Sequence, residues 1–240
     1  MAEEVDTNDD VWKSEQMVAE WVATAGDRER HRREHRRLMA ELLPFADDQP
    51  FTFVDLGAGT GAATQAVLDR FAGAEAFLAE YSPQMIAEGR RALSAYEGRF
   101  SYVEFDLASG GWPEGIPDQP DAVISSLCVH HLPDHHKQEL FNQIRGHLRP
   151  GGWYLNYDPV SSDDPVVESA WQLAGDRLDP QAAAKRHHRS PEEQLRWENQ
   201  IRYISPLAPQ LDFLRVAGFE GIDVYWKQLD HVIYGGRRPA

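Results

Sequence analysis

Four places along the chain hold residues whose types and spacing could do chemistry. Asp55 stands just before three alternating glycines, Gly57, Gly59 and Gly61, separated by Ala58 and Thr60. Glycines so spaced let the backbone turn tightly and let a ligand approach without meeting a Cβ. A helix start follows, and its first N–H groups are unpaired donors. A dinucleotide cradle reads Gly-x-Gly-x-x-Gly, with the third glycine one position later. Here the pattern is Asp-x-Gly-x-Gly-x-Gly, and a carboxylate before the turn would repel a pyrophosphate but suit an ammonium group. Glu80 lies about 20 residues beyond the turn, the separation at which an acid accepts hydrogen bonds from a ribose hydroxyl pair. Such a pair is charge-assisted and can be bidentate. Asp106 is a third carboxylate, able to accept an adenine's exocyclic amine while the backbone beside it bonds a ring nitrogen. The fourth place is His130-His131-Leu132-Pro133-Asp134-His135-His136. Imidazoles and a carboxylate can hold a divalent metal. However, Pro133 and Asp134 read as a helix start that would turn these side chains in several directions, so no metal site is expected.

These residues need a frame. Phe51 to Val54 is a run of aromatic and β-branched residues and reads as a short buried strand ending at Asp55. Residues 62–71 read as a helix, 74–79 as a second strand ending at Glu80-Tyr81, and Ser82-Pro83 as the cap of a helix running to Ala95. Strands are expected at 100–105, 121–127 and 153–157, with a Gly- and Pro-rich loop at 110–120 and a helix up to Leu148. A helix over 207–217 ends at Gly218, and strands at 219–227 and 231–236 follow. Strands alternating with helices imply a parallel sheet covered on both faces.

The flanks break that alternation. Residues 1–10 read as a disordered acidic tail, and 12–25 and 27–43 as two helices forming a lid over 11–45. The basic block from Arg28 to Arg37 admits two readings: a solvated face of Glu–Arg pairs, or a lid side that offers an arginine or histidine to an acidic ligand. Residues 161–205, with Trp171, Trp197 and Tyr203, and with His187-His188 between two helical candidates, read as a helical cover insertion at the carboxyl edge of the sheet. Its tryptophans suit either packing or the walls of an apolar pocket. Residues 11–240 are expected to form a single domain.

The totals narrow the class. With 240 residues the chain can bury a sizeable core. A net charge of -15 argues against a nucleic-acid or anionic-membrane binder. A single cysteine, Cys128, excludes an internal disulfide and a cysteine-cluster metal site. The start is acidic rather than signal-like, and no apolar run approaches the ~20 residues that span a bilayer. A cytoplasmic protein is expected, and a homodimer is left open.

The stretch from Asp55 to Gly61 resembles the first motif of the class I S-adenosylmethionine-dependent methyltransferases, of small-molecule type. Glu80-Tyr81-Ser82-Pro83-Gln84-Met85 resembles that family's ribose segment, and Phe105-Asp106-Leu107 its adenine segment. His130-His131-Leu132-Pro133-Asp134 and Leu148-Arg149-Pro150-Gly151-Gly152 resemble segments after its fourth strand and before its fifth. The resemblance implies a three-layer α/β sandwich with a mostly parallel seven-stranded sheet whose last strand is antiparallel. It implies S-adenosylmethionine as cofactor, S-adenosylhomocysteine as product and a small-molecule acceptor. The cofactor residues it implies are Asp55, Gly57, Ala58, Gly59, Gly61, Glu80, Tyr81, Met85, Asp106, Leu107, Ser126 and Leu127. Residues after the fourth strand face the methyl-transfer pocket in that family, so His131 is the first candidate for a general base and His130 the second. A role for both as cap or packing residues stays open.

The Asp/Asn-Pro-Pro-Tyr/Phe motif of enzymes that methylate nucleobases and amides is absent after the fourth strand, where Ser125-Ser126-Leu127-Cys128 stands. Asn156-Tyr157-Asp158-Pro159 looks similar but follows the fifth strand. Other outcomes share the same cradle: transfer of another alkyl group, cyclisation or hydrolysis of the cofactor, or a non-catalytic nucleoside-binding partner. A nicotinamide dehydrogenase ranks last because of the glycine spacing and Asp55.

Overall fold

The computed structural model of the chain describes residues 25–240 together with Glu15, Val18 and Ala19. The acidic tail and most of the first lid helix lie outside the described residues. So do the side chains of the basic block before Arg32.

A single seven-stranded sheet runs in the order β3-β2-β1-β4-β5-β7-β6. The strands are β1 (Phe51–Leu56), β2 (Ala74–Glu80), β3 (Phe100–Glu104), β4 (Ala122–Ser126), β5 (Trp153–Pro159), β6 (Glu220–Gln228) and β7 (His231–Arg237). The first five are mutually parallel, and β7 is antiparallel to both of its neighbours. β1 and β5 run past the ends read from the sequence, through Leu56 and Pro159. The order reverses beside β1, where β2 and β4 leave in opposite directions. That switch point is where open α/β sheets bind ligands.

Alternation along the strands builds two cores. Phe53, Leu78, Ile124 and Leu155 face α1 (Ala25–Glu41) and α2 (Ala62–Arg70), meeting Met39, Leu43 and Val67. Val54, Leu56, Val123 and Tyr154 face the other way. They meet Phe141 and Ile144 of α4 (Asp134–His147) and Leu214 of α8 (Leu207–Ala217). Strands buried on both faces read as unbroken apolar runs, which is why β1 and β4 are legible in the sequence.

α3 (Pro83–Ala92) starts as its sequence suggests: Ser82 Oγ accepts from Met85 N at 3.2 Å, with Pro83 at the first position. It stops at Ala92, and a separate 3-10 turn covers Ser94–Tyr96. Gly218, at φ 88°, ends α8, and Phe219 N donates back to Leu214 O. The insertion after β5 holds three helices rather than two: α5 (Pro165–Leu178), α6 (Pro180–His187) and α7 (Pro191–Ile201). Asp164 caps α5, and a reciprocal Ser190–Glu193 box caps α7.

Candidate active site

The carboxyl ends of β1, β2, β4 and β5 converge at the switch point. Gly57 N and Ala58 N both donate to Ala79 O, at 2.9 and 3.1 Å, which presses the glycine loop onto the end of β2. Gly57, Gly59 and Gly61 all have positive φ, so each needs the left-handed freedom of glycine. Their surroundings differ. A Cβ on Gly57 would lie 1.9 Å from Cys128 Sγ, so the loop closes directly on the turn after β4. A Cβ on Gly61 would meet Leu93 and the Tyr102 hydroxyl, whereas one on Gly59 would meet nothing within 4 Å. The open side of the cradle is therefore over Gly59.

Glu80 grips the loop from the neighbouring strand. Its Oε2 accepts from Gly59 N at 2.7 Å and its Oε1 from Ser82 N at 2.8 Å. Burial raises its pKa above the usual carboxylate value, against the pull of these backbone donors. Tyr81 N–H also bonds this carboxylate, so three of its about four lone-pair sites are used and one is left for a ligand hydroxyl. Tyr102, which sequence reading did not single out, supports the loop by donating from its hydroxyl to Gly59 O at 3.1 Å.

Asp55 has no exposed surface. Its Oδ2 accepts from Thr64 N at 3.1 Å and from Thr64 Oγ1 at 2.7 Å. It thus caps α2 from the strand, because Gly61 has no side chain to do so. Oδ1 is buried without a partner. Burial, partly offset by the Thr64 bonds and by Arg36, raises its pKa to about 7. A direct ammonium contact, as read from the sequence, meets no open carboxylate surface here.

The remaining cofactor candidates lie around the same rim. Asp106 Oδ1 accepts from Ala108 N at 2.8 Å, capping the short turn that carries Leu107; both residues are half-buried. Tyr81 is half-buried, and Met85 is buried with its N–H on Ser82. Leu127 sits at φ 59° and donates to Tyr157 O at 2.8 Å. Ser126 Oγ accepts from Arg36 Nε at 3.2 Å. Arg36 of the basic block thus turns inward, while Arg33, Glu34 and Arg37 are exposed. On the same helix, His35 Nδ1 lies 2.9 Å from the Tyr157 hydroxyl and its ring is 3.9 Å from that of Trp226.

The two histidines differ. His131 is held well below the usual imidazole range, first by burial and then by His130 beside it. His130 Nδ1 lies 2.6 Å from Asp158 Oδ1, and its backbone N donates to Asp158 Oδ2 at 2.8 Å. Its side chain is 12% exposed and that of Asp158 1%. A carboxylate on Nδ1 places the ring proton there and leaves the lone pair on Nε2, the tautomer a base requires. Sequence reading ranked His131 first and paired neither histidine with Asp158. Asp158 is 28 positions away, and only the pairing of β4 with β5 brings it to His130. Among the described residues no group of three or more His, Cys, Asp or Glu is placed to hold a metal ion.

Residues 54–154 match a family model described as a methyltransferase domain. Over that stretch, under half of its length, the chain is similar to methyltransferase domains. A trans-aconitate 2-methyltransferase of Azoarcus sp. (strain BH72) is 30% identical over 118 residues, covering 49% of this chain and 43% of that protein. The chain spans about half the length of the curated relatives it matches. An O-methyltransferase family protein from Burkholderia thailandensis shares the fold at TM-score 0.66 and 16% identity, covering 98% of this chain and 63% of that one. A phosphoethanolamine N-methyltransferase 2 of Haemonchus contortus, solved with S-adenosyl-L-methionine, superposes at TM-score 0.62 and 16% identity, over 86% of this chain and 53% of that one. The residues present suit that cofactor: the cradle is open over Gly59, and a buried acid grips the loop beside it.

Proposed function

We propose that the chain moves a methyl group from S-adenosylmethionine to a hydroxyl oxygen of a small-molecule acceptor, with His130 as general base. The pairing of His130 with buried Asp158, beside the glycine cradle, carries this reading. When bound, the cofactor supplies a methyl group on a positively charged sulfur, which is already a good leaving group. The protein's part is alignment, exclusion of water and removal of the acceptor's proton. Glu80 and Asp106 would hold the ribose and adenine, and the loop at Gly59 would receive the remainder. His130 Nε2 takes the hydroxyl proton while Asp158 holds the ring by Nδ1. The net charge of -15 supports a small-molecule partner over a nucleic acid, and a cytoplasmic setting belongs to the same reading.

A carboxylate acceptor is the second reading. Its support is the inward basic face of α1 at Ser126 and Tyr157, together with the named activity of the trans-aconitate relatives. A carboxylate has no proton to lose and needs no base, so one variant separates the two. Label transfer from methyl-tritiated cofactor to a panel of phenols, hydroxy acids and carboxylic acids would be compared in wild type and His130→Gln. Hydroxyl methylation should fall by roughly 10²–10⁴, the range a general base supplies, while carboxylate methylation should persist. Full hydroxyl transfer in His130→Gln would sink the base. Methylthioadenosine or homocysteine formed from cofactor alone would replace transfer by cyclisation or hydrolysis.

A further inference from the structure

Behind the histidine runs a buried line of polar groups that the proposed reaction has not used. Asn156 Nδ2 donates to Asp158 Oδ2 at 3.4 Å and to the Tyr234 hydroxyl at 3.0 Å. Tyr234 donates to Gln210 Oε1 at 2.7 Å, and Gln210 Nε2 donates to Ser205 O at 2.9 Å and Pro206 O at 3.4 Å. Asn156, Asp158, Gln210 and Tyr234 are each no more than 2% exposed. Water cannot repair a broken link there, so the direction of each bond matters.

That direction can be deduced from one end. Backbone carbonyls only accept, so the Gln210 group facing Ser205 O and Pro206 O must be its NH2. Gln210 therefore turns its oxygen to Tyr234, and the Tyr234 hydroxyl must donate to it. Its single proton being spent, Tyr234 can only accept from Asn156, which must present its own NH2. The same NH2 then reaches Asp158, whose Oδ2 receives it together with His130 N. Asp158 is left to receive at Oδ1 as well, which puts the His130 proton on Nδ1 and the lone pair on Nε2. No amide or hydroxyl in the series can flip without leaving two like groups facing each other.

We propose that Asn156, Tyr234 and Gln210 are positioning residues that hold the Asp158 carboxylate against His130, so that Nδ1 keeps its proton. Their polarity is set by the backbone carbonyls at Ser205 and Pro206, where the chain returns from the insertion after β5. The inference rests on His130 as the base. It adds that the aim of the carboxylate is maintained through groups that touch neither cofactor nor acceptor.

The test is the Tyr234→Phe variant of the full chain, labelled with ¹⁵N at histidine and observed by NMR at alkaline pH, where imidazoles are neutral. In wild type, His130 should show a protonated Nδ1 and an unprotonated Nε2. In Tyr234→Phe the Asn156 amide loses the hydroxyl that anchors it, the Asp158 carboxylate is freed to turn from Nδ1, and His130 should show a mixture of tautomers. Hydroxyl methylation should fall about tenfold, less than loss of the base itself would cost, with cofactor affinity by calorimetry unchanged. Gln210→Met frees the same hydroxyl from the far end and should give the same signature, so the measurement survives if either variant fails to fold. An unaltered His130 signature in a folded variant overturns the proposal, whatever happens to melting temperature or turnover. The NMR readout needs no turnover, so retained methylation in His130→Gln would remove the base while leaving the polarity of the line to be judged separately.

Discussion

At the residue scale, the most consequential group is a carboxylate with no exposed surface. Burial raises the Asp55 pKa from 3.8 to about 7, so between those values the folded protein binds a proton that the unfolded chain has lost. Stability from this group therefore falls as pH rises from about 4 through about 7. Roughly three pK steps at 1.36 kcal/mol each give a cost of roughly 4 kcal/mol once Asp55 is fully ionised. Asp55→Asn stays neutral at every pH and keeps an acceptor for Thr64. Its apo melting temperature should match wild type near pH 4 and exceed it increasingly towards pH 8. A gap that stays constant would show that Asp55 is not ionised against burial. An acid before the glycines was legible in the sequence. Its burial, and its work as the cap of α2, were not, because both depend on Thr64 folding back over the strand. The rank of the histidines was also hidden, since adjacent residues share composition and only Asp158 tells them apart.

At the element scale, the glycine loop separates ligand binding from folding. Gly59→Ala adds a Cβ that touches nothing, so its cost to the apo protein is the left-handed backbone strain of about 1–2 kcal/mol. Its cost to cofactor affinity should be larger, since the methyl occupies the open side of the cradle. Gly57→Ala drives a Cβ into Cys128 and should lose stability well beyond backbone strain. Denaturant melts and calorimetry on the two variants check the contrast, and cofactor affinity unchanged in Gly59→Ala would move the binding surface elsewhere. The strands here were legible because buried parallel strands read as apolar runs closed by glycine or proline, as from Phe51 to Gly57. The break at Asp179 was not. There Pro180 ends α5 and opens α6, dividing the first of the two helices read in the insertion.

At the scale of the whole molecule, a buried cation helps to fasten the return of the insertion, beside the Gln210 bonds to Ser205 O and Pro206 O. Lys137 has no exposed surface, and its ammonium donates to Asp134 Oδ1 at 3.0 Å, Tyr203 O at 2.6 Å and Ser205 Oγ at 2.5 Å. Burial lowers its pKa, and Asp134 opposes that shift. Lys137→Met should leave the Tyr203 carbonyl and the Ser205 hydroxyl short of a donor, costing about 1–3 kcal/mol in a urea melt. Amide exchange should quicken around 203–206 before it does in β1 or β4. Equal protection there in the variant would show that the fastening lies in other contacts. A further consequence follows from β7, which is hydrogen-bonded between β5 and β6 although both precede it in the chain. A ribosome delivers residues in order, so the nascent protein can build the cradle from β1, β2 and β4 while β5 still has a bare edge. Tyr234 arrives with β7, and Asn156 waits for it. Such a chain would learn to hold a nucleoside before it learned to aim its imidazole.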